Sequence, residues 1–596
     1  MLNRAIAVLT VVLLLFPVSA SCATSTASNP LQASPCRIGQ TQAAAICGTL
    51  TVYENRAARS GRTVELHFID IKAKHRSNRA IVFNPGGPGG SATASAGDFA
   101  DSTTGISALR DRYDILLVDN RGTGESAPQQ CNVAPPDHPE LYFKQMWPDS
   151  LMTACRDRLA QHAKLSLYTT SIAADDLDDL RAALGYPKLV LYGGSYGTTF
   201  YLIYARQHPD RVESMVLDGV APNYYYLVPL PMARGAQDAI DRLATACTRD
   251  ESCSKHFPDF ASHFAAVARR FDRDPVTMNV RNTVTGRMQK VQLSKEMFAE
   301  TIRHTLYFPA DSAYIPVTIE HAYSGDYGAL ASMADQMTLR FASIVAMGLN
   351  LSVTCAEDTP FITEDAVKRA SAGTFEGDSR VRAQQRACRL WNVDPVAAAF
   401  NQPVHSNAPV LMISGSDDPA TPPQYGREEL QNLPNGRQML VPGATHSSDY
   451  PPCVNATIAA FVRAGSARNL NLSHCAATYR RPPFEILAYD EPAPGETAAD
   501  SKRFRALIAQ LLQGHVDRSQ LTPAANKDIS DPVLKSVAAQ VTSMGGSPQK
   551  VVYKGMSASA NGRTYKYFLH FAVRNFAATF SLNASGKIQS IDLSPA

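Results

Sequence analysis

Leu189-Val190-Leu191-Tyr192-Gly193-Gly194-Ser195-Tyr196-Gly197-Thr198-Thr199 decides how the chain is read. An apolar run ends in Gly-x-Ser-x-Gly, and a helix-forming run from Thr199 to Gln207 follows at once. Strand, tight turn and helix in that order lift Ser195 to the tip of a sharp turn. Gly193 and Gly197 flank it because a Cβ at either place would meet neighbouring backbone. Ser195 then stands at a helix N-terminus, where partial positive charge favours a developing oxyanion. The pentad alone is a modest signal. The strand before it and the helix after it make a nucleophile the preferred reading.

Working outward, alternating strands and helices surround this unit. Ala80-Ile-Val-Phe83 and Tyr113-Asp-Ile-Leu-Leu-Val-Asp119 read as buried strands before it, and Arg211 to Asp218 as one after it. Ile172 to Leu184 reads as an amphipathic helix, with Leu177, Leu180 and Leu184 inward and Asp175, Asp176, Asp178 and Asp179 toward solvent. This pattern predicts a largely parallel sheet covered on both faces. Upstream, Cys47 to Tyr53 and Thr63 to Ile71 alternate as antiparallel strands do.

Asn84-Pro-Gly-Gly-Pro-Gly-Gly-Ser91 follows the strand at Ala80. It lacks the Gly-Lys-Ser/Thr of a phosphate-binding loop. Bare glycines beside a nucleophile instead suggest backbone N–H groups aimed at a substrate carbonyl. The expected donors are Gly87 N–H, with Gly86 as the near alternative, and Tyr196 N–H.

From Asn223 to about Phe400 the periodicity is mostly helical, with few strand-like runs. Such an insertion after a mid-sheet strand predicts a cap that shapes a pocket and excludes water. The sheet resumes at Pro409 to Gly415, followed by Ser416-Asp-Asp-Pro-Ala-Thr-Pro422. Arg437 to Pro442 is the next strand, followed by Gly443-Ala-Thr-His446. An acid and a His, each after a strand and both after the Ser, complete the order Ser…Asp…His. Asp418 and Asp417 compete for the acid.

Taken together these segments resemble secreted α/β-hydrolase peptidases of the tripeptidyl-aminopeptidase and proline-iminopeptidase group (TAP-like serine hydrolases). The matching features are Cys47-Gly-Thr-Leu-Thr-Val, Asn84-Pro-Gly-Gly-Pro-Gly-Gly, Asp119-x-Arg-Gly-Thr-Gly-x-Ser126, Gly193-Gly-Ser-Tyr-Gly-Thr, Asp418-Pro-Ala-Thr-Pro and Gly443-x-x-His446. They span roughly residues 36 to 485. The resemblance implies Ser195 as nucleophile, Asp418 as acid because the family's Asp directly precedes Pro, and His446 as base. Two departures are mild: Ala420 stands where Val is usual, and Ala444-Thr445 where Ala-Gly or Gly-x is frequent. The implied activity is release of residues from peptide N-termini through an acyl-enzyme, on substrates with a free N-terminus. An aminopeptidase needs an anion for that α-ammonium, and Glu357 and Asp358 in the cap are candidates beside the plainer reading of a solvated acidic turn. Fold and triad do not choose between acyl donors, so an esterase or lipase is the alternative. A binding protein with a vestigial elbow is the reading from a different class, and the intact triad argues against it.

Composition and ends complete the expectation. The chain has 596 residues, 45% apolar and 19% charged, with formal net charge +3. That balance points to neither nucleic acid nor an acidic polymer as partner. No Cys-x-x-Cys or His-x-x-x-His helix appears, so neither a metal nor another cofactor is expected. Residues 1–21 read as a signal peptide: Arg4, an apolar run from Ala5 to Phe16 too short to span a bilayer, and Val18-Ser19-Ala20. No later stretch is apolar enough for a transmembrane helix. Ser19-Ala20-Ser21-Cys22 partly matches a bacterial lipoprotein box but lacks its Leu, leaving a lipid anchor at Cys22 as an alternative to free secretion. Of the eleven cysteines, the ten other than Cys22 fall into nearby pairs, as export to the periplasm or beyond would favour. Short loops suggest sequential pairing, though sequence alone does not fix connectivity. The expected layout is 22–35 tether, 36–222 and 401–487 hydrolase core, 223–400 helical cap and 488–500 linker. Residues 501–596 are expected to form a small α+β domain of cystatin-like or NTF2-like pattern, with a binding, dimerising or scaffold role.

Overall fold

The structure is a computed structural model that describes residues 30–224, 228–282, 287–446, 452–488, 491–543, 547–548, 550–559, 562–571 and 575–595. The signal segment, Cys22 and the first part of the tether lie outside the described residues. The tether is shorter than expected: Leu31–Ile38 is already strand β1. It pairs antiparallel with β2 (Ala43–Tyr53), and its Cys36 lies opposite Ala45.

A nine-stranded sheet organises the hydrolase core. With β3 (Thr63–Ile71), β4 (Ala80–Asn84), β5 (Asp114–Val118), β6 (Leu189–Gly194), β7 (Val212–Asp218), β10 (Val410–Gly415) and β11 (Gly436–Val441), the order is β1-β2-β3-β5-β4-β6-β7-β10-β11. The first three strands are antiparallel and those from β5 onward parallel. The parallel strands are continuous apolar runs because both faces are covered. Leu189, Leu191, Met215, Leu217, Val410 and Met412 face one core. Their chain neighbours Val190, Val216, Leu411 and Ile413 face the other, as a two-residue strand period requires. Helices Thr170–Ala183 and Tyr196–Gln207 cover the first face; Pro452–Ala464 covers the second.

Between β7 and β10 the chain is mostly helical, but it also contains the hairpin β8 (Val276–Arg281) and β9 (Met288–Leu293), which was not expected. The segment from Cys131 to Leu165, placed in the hydrolase core by sequence order, packs instead into this cap: Tyr142, Phe143, Trp147 and Met152 share a cluster with Phe264, Phe298 and Leu330. The ten remaining cysteines close sequential pairs, Cys36–Cys47, Cys131–Cys155, Cys247–Cys253, Cys355–Cys388 and Cys453–Cys475. They fit an oxidising compartment. Among the described residues no single helix is long and apolar enough to cross a membrane.

The C-terminal region is an antiparallel meander of β12 (Lys550–Ser559), β13 (Gly562–His570), β14 (Asn575–Asn583) and β15 (Ile588–Pro595). Helix Ala498–Leu512 packs Phe504, Leu507 and Ile508 onto it, within the stretch expected to be linker and first helix. Val552 and Phe568 of this sheet join the cap cluster, so the domain is seated on the cap.

One helix face differs from expectation. Asp176 is buried, not solvated. Its carboxylate receives Arg121 Nε at 2.6 Å and Nη2 at 2.9 Å, and Arg56 Nη1 at 2.9 Å. Arg121 also donates to the carbonyls of Glu54 and Leu167. The Asp119-x-Arg-Gly loop is therefore fixed through an internal ion pair that amphipathic patterning does not reveal. Asp176→Asn leaves a buried guanidinium without its counter-charge. The expected loss is about 3 kcal/mol or more in urea unfolding, and a loss under about 1 kcal/mol contradicts this assignment.

Candidate active site

The turn after β6 is as tight as its sequence implies. Ser195 has φ 53° and ψ −125°, a left-handed conformation for a residue with a Cβ. Its N–H donates to Asp218 O at 2.7 Å, and Thr198 Oγ1 donates to its carbonyl at 2.6 Å. A Cβ on Gly193 would lie 2.4 Å from Gly197 O, and one on Gly197 would lie 2.5 Å from Asn84 O.

Asp418 and His446 arrive from the C-terminal ends of β10 and β11, on the same edge of the sheet as Ser195. His446 Nε2 is 2.9 Å from Ser195 Oγ. Its Nδ1 lies 2.9 and 3.0 Å from the two Asp418 oxygens. With Nδ1–H donating to the carboxylate, Nε2 is left as the acceptor for the serine proton. Asp418 is fully buried. Burial opposes its charge, but His446 and the hydrogen bonds from Thr421 outweigh that and hold the carboxyl below its usual range. Thr421 donates its N–H to Oδ1 at 2.8 Å and its hydroxyl to Oδ2 at 2.7 Å; Ala420 N–H donates to Oδ1 at 2.8 Å. Asp417 points elsewhere, accepting Ser416 Oγ at 2.8 Å with Arg242 Nε 3.5 Å away.

The Gly-rich loop faces this group. Gly86 is pressed against the elbow: an added Cβ would lie 2.4 Å from Gly194 O and 3.2 Å from Tyr196 N, at φ +95°. Asn84 Oδ1 accepts Gly86 N–H at 2.9 Å. Gly87 and Tyr196 both line the cavity at Ser195. Their N–H groups have no acceptor among the described residues, which leaves them for a ligand oxygen. Gly86 N–H is already engaged, so Gly87 is the better of the two candidates. Cap helix Met347–Glu357 holds the loop from above: Ala346 N–H donates to Gly89 O at 2.9 Å and Asn350 Nδ2 to Pro88 O at 3.0 Å.

The cavity has a volume of about 600 Å³ and is lined by core and cap residues together. Glu357 and Asp358 are in its wall, so neither is the solvated turn that sequence alone favoured. Glu357 accepts Thr170 N–H and Oγ1, each at 2.6 Å, and burial still pushes its carboxyl up to about 7. Asp358 is half-buried. Burial and the neighbouring Glu357 charge raise it, against a backbone hydrogen bond from Val228. Two residues escaped the sequence reading. Thr421 was quoted in the motif without a role. The Tyr307 ring lies 4.7 Å from that of His446, and its carbonyl accepts Thr445 Oγ1 at 2.6 Å. Tyr307 sits in the cap insertion, where no strand end marks a functional position.

This arrangement can take a proton from Ser195, stabilise the resulting imidazolium and receive an oxyanion. A family model described as "alpha/beta hydrolase fold" matches residues 79–288, and one described as "TAP-like protein" matches 375–474. Serine protease Hip1 of Mycobacterium tuberculosis is 26% identical over 491 residues, 74% of this chain and 89% of that protein. Tripeptidyl aminopeptidase of Streptomyces lividans is 33% identical over 192 residues, 29% of this chain and 35% of that protein. The solved proline iminopeptidase of Mycobacterium smegmatis aligns with 70% of this chain and 98% of its own at 16% identity and TM-score 0.34.

Gly86→Ala is expected to lower kcat/KM on a nitrophenyl ester at least ~100-fold, the scale of a lost oxyanion donor, because the loop must move off the elbow. Activity within about threefold of the parent contradicts the close approach. On fold and family models the conclusion is that the chain is an α/β hydrolase with a TAP-like segment at residues 375–474, an enzyme of the serine-hydrolase class.

Proposed function

We propose that the enzyme is a serine peptidase that removes residues from the free N-termini of peptides, with Ser195 as nucleophile, His446 as base and Asp418 as its orienting acid. Gly87 and Tyr196 N–H groups receive the oxyanion, and water then hydrolyses the acyl-enzyme. The observation that carries the N-terminal preference is the carboxyl pair Glu357 and Asp358 in the wall of the cavity that holds Ser195. Two adjacent acids raised by burial favour a cation between them. A peptide's α-ammonium supplies one, with charge-assisted hydrogen bonds. Asp358 is the more available partner, since both Glu357 oxygens already accept from Thr170. The relatives named serine protease and tripeptidyl aminopeptidase support the peptide substrate. The five disulfides support an exported enzyme, periplasmic or extracellular.

The test compares a free-amine tripeptide arylamide, its N-acetylated twin, a prolyl arylamide and a short nitrophenyl ester, with Ser195→Ala as control. The expected result is cleavage of the free-amine peptide, at least ~100-fold loss on acetylation, and no turnover by Ser195→Ala. Ester turnover without amide cleavage contradicts the peptidase reading and favours an esterase.

A pH dependence follows from the same acids. Glu357 carries its charge above about 7 and loses it below. KM for the free-amine peptide is expected to rise as pH falls from about 8 to 6, while KM for an ester without an ammonium stays flat. Above about 8 the peptide amine itself deprotonates and KM rises again. Parallel KM profiles for the two substrates contradict the anchor.

A further inference from the structure

The cavity beside Ser195 carries a cation that its own acids do not satisfy. On cap helix Lys295–Thr305, Glu300 and Arg303 form a buried pair, with Nη2 donating to Oε1 at 2.6 Å and Nε to Oε2 at 3.2 Å. Burial opposes the Glu300 charge, but the Arg303 and Arg380 guanidiniums outweigh it and hold the carboxyl at about 2. This pair is neutral as a unit. His304 adds no charge, because burial brings it down to about 3.

Arg380, on cap helix Ser379–Trp391, stands in the same wall and is 7% exposed. Its Nη1 donates to the uncharged Gln384 Oε1 at 3.0 Å. Its guanidinium lies over the Trp147 ring, 4.7 Å from the centroid. The only carboxylate within 4 Å among the described residues is Glu300, whose Oε2 is 3.8 Å from Nε and already accepts from Arg303. Nε itself has no hydrogen-bond partner. Glu376, fully buried, lies 3.7 Å from Arg303 and feels Arg380 only from beyond 4 Å; burial pushes its carboxyl up to about 7 against the pull of both guanidiniums. A guanidinium does not shed its proton to relieve this. A buried cation without a hydrogen-bonded anion is costly, and the cavity opens the way for a ligand to bring one.

We propose that Arg380 is a specificity-determining residue that receives a carboxylate of the substrate. This rests on the peptidase reading for the substrate's identity: a short peptide presenting either an acidic side chain near the scissile bond or its own C-terminal carboxylate. The planar fork suits a carboxylate, and the Trp147 face holds the guanidinium plane in place. Glu357 and Asp358 in the same cavity supply the opposite sign. One cavity thus holds an anchor for each charge of a short zwitterionic peptide.

Two matched pairs separate the two sources of carboxylate. The first is a free-amine tripeptide arylamide with Glu or with Gln at the cleaved residue. The second is a free-amine tetrapeptide with a free or an amidated C-terminus. Each is measured with the parent enzyme, Arg380→Met and Arg380→Lys. The expected result is a preference of at least ~10-fold in kcat/KM, carried by KM, for the acid member of one pair. Arg380→Met brings that ratio toward one, and Arg380→Lys retains part of it. The pair that shows the preference names the source. Equal turnover within both pairs by the parent enzyme overturns the proposal, and so does an equal loss on both members in Arg380→Met. The parent ratios decide the matter even if a variant fails to fold. If no peptide is cleaved, the peptidase reading has failed. The carboxylate preference is then read from nitrophenyl hemiglutarate against nitrophenyl valerate, where a parent preference for the hemiglutarate sustains the role of Arg380 and equal turnover overturns it.

Discussion

The structure depends on a single backbone constraint, the left-handed conformation of Ser195 at the end of β6. A residue with a Cβ does not hold that conformation by itself; its surroundings impose it. Here the Ser195 N–H is tied to Asp218 O, and Gly193, Gly197 and Gly86 let three stretches of backbone meet at distances no Cβ would permit. The sheet, the two helices packed on it and the Gly-rich loop all serve this turn. Asp418 and His446 stand on loops a few residues beyond neighbouring strand ends, so the sheet brings those loops to Ser195, and hydrogen bonds from Ala420 and Thr421 hold Asp418 in place.

Around that rigid centre the cap does a different kind of work. It seats helix Met347–Glu357 on the Gly-rich loop, so the same helix that carries Glu357 also holds that loop at Pro88 and Gly89. It brings charges into the cavity wall: the two acids Glu357 and Asp358, and a Glu300–Arg303 pair with Arg380 beside it. Buried charges of this kind stabilise little and cost much when unpaired. Their presence in the cavity wall is better understood through what enters the cavity than through what holds the fold.

Much of this was legible in the sequence, for a physical reason. Strand runs such as Leu189 to Gly193 are apolar throughout because both sheet faces are covered, and the turn chemistry at Ser195, Asp418 and His446 sits directly after them. Asp176 of helix Thr170–Ala183 was misread because helical periodicity ranks residues by polarity. It is blind to a buried partner such as Arg121, which lies 55 positions from Asp176. The hairpin β8–β9 was missed within otherwise helical surroundings. The Cys131 to Leu165 segment was assigned to the core by chain order, whereas its aromatic side chains pack on the cap. Arg380 and Tyr307 left no signal, since their importance lies in what a separate segment brings beside them.

The most direct measurement is intact-mass and peptide-level mass spectrometry after reaction with a fluorophosphonate. The account predicts one covalent adduct per chain, on the peptide containing Ser195, and no adduct at the same exposure in His446→Gln. An unlabelled protein, or an adduct on any other serine, would contradict it.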